Sequence, residues 1–318
     1  MAARFEDVLF VGTGNVGLMH GWARAQGGVG VTHVVRPGRG PVGDVPLDVL
    51  DAREDPPAAY PARYRPRVVD RVGPDDRYDL LVVATNHLQA GAALRQYAPL
   101  LPRADVLMFC ANWRGPGEVD AVVPRERCLW GYSTFSGARG DDGVLYANVQ
   151  RTFRVGALPG TRPGLLQQVE ATFAAGGVAP DEKADIVEWL WVHQAVNAGL
   201  IGTCLAQGDL PSADTPHEVW RFIVRAVRDA LRVLEARGAG VRGYPDVAVF
   251  LIDDEDEAAR RLRDGMLAAP HLERTRRHGH FGASPAEMRR FYWDVVETGD
   301  QLGVPMPYLG TLREAIPR

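Results

Sequence analysis

Residues 8–17 read VLFVGTGNVG, an apolar segment that runs directly into Gly12, Thr13, Gly14, Asn15, Val16 and Gly17. The next segment, GLMHGWARAQ, is compatible with a helix, and VTHVVR after it with a second strand. In a dinucleotide-binding βαβ unit the first glycine permits the tight turn, the second lets the backbone approach a pyrophosphate, and the third lets helix and strand pack closely. The phosphates lie at the positive end of the helix. We therefore expect residues 12–17 to bind a dinucleotide.

Strand-like segments recur through the N-terminal half, at residues 7–12, 31–36, 79–85, 104–110 and 127–132. Helical or glycine- and proline-rich stretches separate them, which predicts an α/β, Rossmann-type doubly wound parallel sheet. Residues 68–72 are a possible third strand. We expect residues 37–66, rich in Pro, Gly, Asp and Arg, to be irregular or to contain a short helix. Residues 143–156 resemble two short strands, interpreted as a hairpin through Asn148, that close the sheet with antiparallel edges.

The pattern becomes helical after Pro180. Residues 184–206 are so apolar that most faces of the helix must be covered. Further helices are predicted at residues 215–237, 246–267, 284–303 and 308–316. We expect a Rossmann domain at residues 1–180 and an all-α helical domain at residues 181–318. The acidic run at 253–257 is interpreted as a solvated helix face and not as a metal site.

Composition excludes several classes of function. The net charge of -4 and the pI near 6.1 give no basic excess for nucleic acid or an anionic membrane. The cysteines, Cys110, Cys128 and Cys204, are odd in number and lack CxxC spacing, so we expect no disulfide framework, no zinc site and a reducing cytoplasm. The chain has neither a signal-peptide pattern nor a run of 18 apolar residues, so no membrane segment is expected.

Arg36 indicates which nucleotide binds. NAD-type units carry an acidic residue at the end of the second strand, where it contacts the ribose 2′-hydroxyl. Here that place holds Arg36, followed by Arg39, and a guanidinium suits a 2′-phosphate. NADP(H) is therefore the expected cofactor. The alternative is an exposed arginine in a chain whose only lysine is Lys183.

Three features together resemble the ketopantoate reductase family: GTGNVG near the N-terminus, Asn112 in FCANW directly after the fifth strand, and an LWVHQAVN helix opening an all-helical half. The segment YSTFSGARGDDG at 132–143, and Glu287 followed by a Gly-Val-Pro at 303–305, extend the resemblance over nearly the whole chain. It implies a Rossmann domain joined to a helical domain, reduction of a 2-oxo acid by NADPH in the cleft between them, and a homodimer.

The resemblance also implies site residues. Gly12, Gly14 and Gly17 match the phosphate loop, and Arg36 the contact to the 2′-phosphate. The cofactor set is completed by Thr13, Asn15, Val16, Thr85, Gln89 and Asn112. Asn112 would also touch substrate, although Trp113 replaces the family's glycine, and Asn86 replaces a lysine that often precedes the Gln89 position.

In the helical half, Asn197 matches the first of two substrate-binding asparagines, whereas the second is Ile201, and Glu287 matches a glutamate that faces the active site. His193 occupies the position of the family's catalytic lysine. Residues 193 and 197 are one helical turn apart and share a face. A histidine near neutrality is partly protonated, and a carboxylate such as Glu287 would raise its pKa. We therefore expect His193 to protonate the developing alkoxide.

Each of these residues also has a structural interpretation. His193 could be a satisfied core histidine, Asn112 a turn residue, and Glu287 part of a capping box with Ser284. Lys183, ten residues before His193, would lie about 15 Å away along a helix, too far to replace it.

Residues 271–285 carry three histidines and several arginines. His278 and His280 are spaced poorly for one helix face, so zinc is not expected. His271, Arg274, Arg276 and Arg277 could form an anion-binding loop or simply a solvated one.

Two functions compete with reduction of a small 2-oxo acid. One is reduction of an imine, as in opine-type dehydrogenases, which also use histidine. The other is a catalytically silent protein that senses NADPH.

Overall fold

The computed structural model describes residues 3–36, 38, 42–73, 75–278 and 285–318. The chain divides into two compact units, Met1–Val187 and Glu188–Arg318. None of the described helices is long and apolar enough to cross a membrane.

The N-terminal unit contains two sheets. In chain order its strands are β1 Asp7–Val11, β2 Gly30–Val34, β3 Val45–Asp51, β4 Ala58–Tyr64, β5 Arg67–Val69, β6 Leu80–Val83, β7 Asp105–Phe109, β8 Cys128–Tyr132, β9 Ser136–Arg139, β10 Leu145–Val149, β11 Thr152–Ala157 and β12 Ala179–Glu182. Among the described residues, the main sheet has the order β12-β11-β8-β7-β6-β1-β2-β5, and the small sheet has the order β4-β3-β10-β9.

The main sheet confirms the predicted Rossmann-type architecture. β7, β6, β1, β2 and β5 run parallel, and within the described part of this sheet the β8–β11 pair alone is antiparallel. β6 and β7 are buried along their whole length, as expected for parallel strands covered on both faces. The chain leaves β1 toward β2 on one side and returns to β6 on the other. The carboxyl ends of β1 and β6 therefore flank the switch point of the sheet, where doubly wound folds bind ligands.

The small sheet corrects two expectations. Residues 37–66 include two strands, and β3 alternates buried and half-buried side chains along its length. Proline and aspartate, which are depleted in strands, occupy two of its three half-buried positions, at Pro46 and Asp48. The hairpin expected at 143–156 is also wrong, because β10 pairs with β3 and β9 whereas β11 pairs with β8 and β12. Asn148 lies inside β10 and donates to Ser136 Oγ at 3.1 Å.

Helices complete the N-terminal unit: α1 Asn15–Gln26, α2 His87–Gln96, α3 Gly117–Asp120 and α4 Leu165–Ala174. Eight consecutive residues of α1, numbers 17–24, are buried, because β1 and β2 contact the helix as well as β9 and β10 of the small sheet. The polar residues His20 and Arg24 in this stretch are also fully buried. The His20 and Phe135 rings stack with 4.0 Å between their centroids, and the Arg24 guanidinium carbon lies 3.9 Å from the ring centre of Phe173. Burial holds the pKa of His20 well below its usual value.

The C-terminal half is helical, as predicted. Its helices are α5 Ile186–Gln207, α6 His217–Ala236, α7 Glu255–Leu267, α8 Pro270–Arg277 and α9 Pro285–Leu302, with 3₁₀ segments at Val241–Gly243, Pro245–Leu251 and Leu309–Glu314.

The helix predicted over 246–267 is interrupted. A 3₁₀ segment ends at Leu251, and α7 begins after Asp254, whose side chain accepts the backbone N–H groups of Asp256 and Glu257. The acidic run is therefore not a wholly solvated face. Glu255 also pairs with Arg221 at 2.7 Å and with Arg225 at 2.5 Å on α6, which holds the pKa of Glu255 at about 2.

Candidate active site

The three glycines of the loop after β1 have separate structural roles. Gly12 has a φ of 98°, which favours glycine, and its N–H donates to Val34 O at 2.8 Å. A Cβ on Gly17 would lie 3.1 Å from Gly12 O, so a larger residue there would require the loop and α1 to separate by a few tenths of an ångström. A Cβ on Gly14 would meet nothing within 4 Å. The backbone at Gly14 is thus open to a ligand.

The N-terminus of α1 is directed at the same opening. Gly14 is the N-cap and provides no side-chain cap, and Leu18 N–H is bonded to Gly14 O at 3.0 Å. The N–H groups of Asn15, Val16 and Gly17 precede that bond and have no intrahelical acceptor. Such N–H groups, together with the helix dipole, favour a phosphate.

Three buried polar atoms surround this end of the sheet without partners among the described residues. They are Thr13 Oγ1, Thr85 Oγ1 and Asn112 Nδ2. Each residue follows the carboxyl end of a strand, β1, β6 and β7 respectively, and the register pairs Val11 with Val83 and Val83 with Met108. A buried polar atom without a partner costs about 1–3 kcal/mol. These residues therefore fit a bound dinucleotide, which offers both donors and acceptors.

Arg36 lies two residues beyond β2, and its exposed side chain follows the buried Val35. Its Nη2 donates to Gln89 Oε1 at 3.3 Å. Gln89 lies in the first turn of α2, where its backbone N–H donates to the N-cap Asn86 Oδ1 at 3.1 Å. The structure thus brings Arg36 and Gln89 together, whereas Arg39 falls outside the described residues.

On α5, His193 and Asn197 form a direct contact, with 2.9 Å between Nε2 and Nδ2. The His193 ring stacks on Trp189, with 5.1 Å between centroids and 15° between planes. Trp189 is buried, and its Nε1 donates to Asp246 Oδ2 at 2.9 Å. The imidazole therefore rests on a fixed indole.

The sequence analysis did not identify Trp189 or Asp246. Trp189 could have been found, because it stands four residues before His193 and so shares its helix face. Asp246 is 57 residues from Trp189 and carries no such signal.

Lys183 and Glu287 lie at the ends of helices. Lys183 precedes α5 and its Nζ is 2.7 Å from Asp181 Oδ1, so it is engaged in an ion pair. Glu287 is half-buried in the first turn of α9. Its suggested capping partner Ser284 lies outside the described residues.

Residues 270–277 form a helix and not an anion-binding loop. Arg276 and Arg277 pair with Glu273 at 2.9 Å and 2.8 Å. His280 is not among the described residues, and within the described ranges no three His, Cys, Asp or Glu side chains form a group that could hold a metal.

Residues 8–160, slightly less than half of the chain, match the sequence profile of the family described as ketopantoate reductase PanE/ApbA. No curated protein sequence matches significantly.

Several solved structures share the fold over nearly the whole chain. A D-mandelate dehydrogenase with NADH and anilino(oxo)acetate is 13% identical, with a TM-score of 0.71 and coverage of 97% of this chain and 96% of that one. The 2-dehydropantoate 2-reductase from Geobacter metallireducens GS-15 is 17% identical, with a TM-score of 0.68 and coverage of 97% and 98%. A dimeric ketopantoate reductase from Staphylococcus aureus is 14% identical, with a TM-score of 0.62 and coverage of 97% of each chain.

At these identities the structures establish the fold, while the profile match establishes the family of the segment that holds the glycine loop. The resemblance inferred from the sequence is therefore confirmed for residues 8–160, which match the ketopantoate reductase family, and the whole chain shares the fold of solved ketopantoate reductases.

Proposed function

We propose that this protein is an NADPH-dependent reductase of the carbonyl group of a 2-oxo acid, with His193 as the proton donor. The observation that carries the proposal is the set of unpartnered buried atoms on Thr13, Thr85 and Asn112 beside the open backbone at Gly14.

The N-terminal unit provides the cofactor contacts in this proposal. The glycine loop and the first turn of α1 hold the pyrophosphate, and Arg36 pairs with the 2′-phosphate, with Gln89 beside it. Thr85 and Asn112 satisfy their buried polar atoms on the cofactor. When bound, the nicotinamide supplies the hydride.

The proposed proton donor is on α5. His193 delivers a proton to the substrate oxygen, and Asn197 orients the ring and the substrate. Stacking on Trp189 favours the imidazolium, because an aromatic face attracts a cation. Glu287 is assigned to the same site, where a carboxylate would also favour the imidazolium.

The α5 face favours a substrate with an apolar substituent. Four residues follow one another at four-residue intervals along one face of α5: Trp189, His193, Asn197 and Ile201. The polar pair, His193 and Asn197, therefore lies between an aromatic and an aliphatic side chain. The D-mandelate dehydrogenase neighbour, solved with NADH and anilino(oxo)acetate, supports this substrate class. Ketopantoate is one candidate, and an imine is the alternative.

Further proposals concern the roles of the two domains, the oligomeric state and the cellular location. Residues 1–180 bind the cofactor, and residues 181–318 bind substrate and form a homodimer, as the dimeric relative from Staphylococcus aureus suggests. Cys110, Cys128 and Cys204 are buried thiols, and a reducing cytoplasm is the proposed location.

The test is an assay of NADPH or NADH oxidation at a saturating concentration of the cofactor. The substrates are ketopantoate, alkyl 2-oxo acids and aryl 2-oxo acids, each with and without amines. We expect turnover with NADPH and a 2-oxo acid alone. Turnover only when an amine is present would favour the imine reductase. Binding of NADPH without turnover on any substrate would favour the sensing protein, and absence of binding would reject the proposal.

A further inference from the structure

His33 fixes the carbonyl of the first glycine in the loop. It lies on β2, and its Nδ1 is 3.2 Å from Gly12 O. A carbonyl can only accept, so Nδ1 carries the proton. Because Gly12 N–H is bonded to Val34 O at 2.8 Å, consecutive residues of β2 hold both backbone polar groups of Gly12.

Tyr64 fixes His33 from the small sheet. Tyr64 is the last residue of β4, and its Oη is 3.0 Å from His33 Nε2. With the proton on Nδ1, Nε2 accepts the bond from the hydroxyl. Burial lowers the pKa of His33 to about 4, so the ring is neutral at pH 7, and burial raises the pKa of Tyr64 above its usual value. Tyr64 thus donates a hydrogen bond to His33, and His33 donates one to the carbonyl of Gly12.

Helix α1 is shaped to fit this pair. A Cβ on Gly21 would lie 2.5 Å from His33 Nε2 and 2.7 Å from Tyr64 Oη. Only glycine at that position lets the helix pass over the pair. The same helix begins at the glycine loop, where Asn15 Nδ2 donates to Gly137 O of β9 at 3.1 Å. The small sheet therefore contacts the loop region from β4 and from β9.

We propose that Tyr64 and His33 are positioning residues that hold the glycine loop in its dinucleotide-binding conformation, so that the small sheet sets the affinity for the cofactor. The inference rests on the proposed function only for the identity of the ligand. Neither side chain touches the reacting atoms in this proposal. Their effect acts on cofactor binding and leaves the chemical step unchanged.

The variant that tests the pair is Tyr64→Phe, which removes one hydroxyl. The matched control is Tyr60→Phe on the same strand, because Tyr60 Oη donates to Asp51 Oδ2 at 2.6 Å and not to the loop pair. Loss of one buried hydrogen bond that supports the bound conformation should raise the Kd for NADPH by about threefold to tenfold. Tyr60→Phe should leave that Kd unchanged, and kcat at saturating NADPH should stay within about twofold for both variants.

A second measurement needs no cofactor. Ring ¹⁵N chemical shifts of His33, assigned with a His33→Asn variant, should show a protonated Nδ1 and an unprotonated Nε2 in the wild type. In Tyr64→Phe the Nε2 shift should change, and the backbone amide shifts of Gly12 and Gly14 with it.

A Kd for NADPH in Tyr64→Phe equal to that of the wild type would overturn the inference. Backbone amide chemical shifts of Gly12 and Gly14 that do not change in Tyr64→Phe would also overturn it. A wild-type protein that binds neither NADPH nor NADH would instead reject the proposed function, and the shifts of the free protein would still decide whether the pair holds the loop.

Discussion

The Nε2 atom of His193 and the Nδ2 atom of Asn197 lie 2.9 Å apart, one turn from each other on α5. A neutral ring can accept the amide N–H at Nε2, and a charged ring can donate to the amide oxygen after the amide turns. Asn197 can therefore hold the ring before and after proton transfer.

Asn197→Asp should move the pH dependence of the reaction. A carboxylate beside the ring favours the imidazolium, so the decline of kcat should shift to higher pH by about one unit. Asn197→Ala should lower kcat/KM by about tenfold to hundredfold without that shift. A pH–rate profile from pH 5 to 9 checks both variants. Identical profiles for Asn197→Asp and the wild type would show that Asn197 does not act on the proton donor.

Arg36→Ala should distinguish the two nicotinamide cofactors. A charge-assisted bond to the 2′-phosphate is worth about 1.5–3 kcal/mol, so the Kd for NADPH should rise by about tenfold to hundredfold while the Kd for NADH hardly changes. The control is Arg65→Ala, which removes an exposed arginine paired with Asp44 at 3.8 Å. Equal losses for NADPH and NADH in Arg36→Ala would contradict the assignment.

Glu170 and Glu182 predict a stability change with pH. Burial, the hydrogen bond that protonated Glu170 donates to Glu182, and the like charge of Glu182 raise the pKa of Glu170 to about 7. The folded state thus holds a proton that the unfolded state releases near pH 4.5, and the stability it provides is lost as the pH rises through 7.

Glu170→Gln should therefore raise the free energy of unfolding at pH 8 by about 1 kcal/mol, a figure reduced for solvent screening, and change it little at pH 5. Glu182→Gln should give a similar gain. Urea unfolding at the two pH values measures the difference, and an equal effect of Glu170→Gln at both would contradict the pairing.

The centre of the main sheet was predictable because β1, β6 and β7 are apolar runs separated by helical patterns, whereas β12, with the sequence APDE, was not predicted. The small sheet was not predictable, because Pro46 and Asp48 are residue types that disfavour a strand at β3 and because β10 pairs with a strand about a hundred residues earlier. The pairing of two strands so far apart in the chain gives no pattern in the residues next to either strand. The break at residues 252–254 was missed for a different reason, because a capping aspartate resembles one more acid in an acidic run.

For the candidate site, local spacing identified the glycine loop, whereas the family resemblance indicated His193 and Asn197, and their four-residue spacing placed both on one helix face. Trp189 was accessible to the same helical reasoning. Asp246, His33 and Tyr64 act through contacts between distant elements, and nothing in their neighbouring residues indicates a role. Positioning residues of this kind become visible only with the structure.

The central claim is that His193 donates the proton, and His193→Ala tests it most directly. With a 2-oxo acid identified as substrate, loss of a general acid should lower kcat by about a hundredfold or more. The Kd for NADPH, measured by fluorescence on the same sample, should remain within about twofold of the wild type, because the proposed cofactor contacts lie on other residues. Near wild-type kcat in His193→Ala would contradict the account.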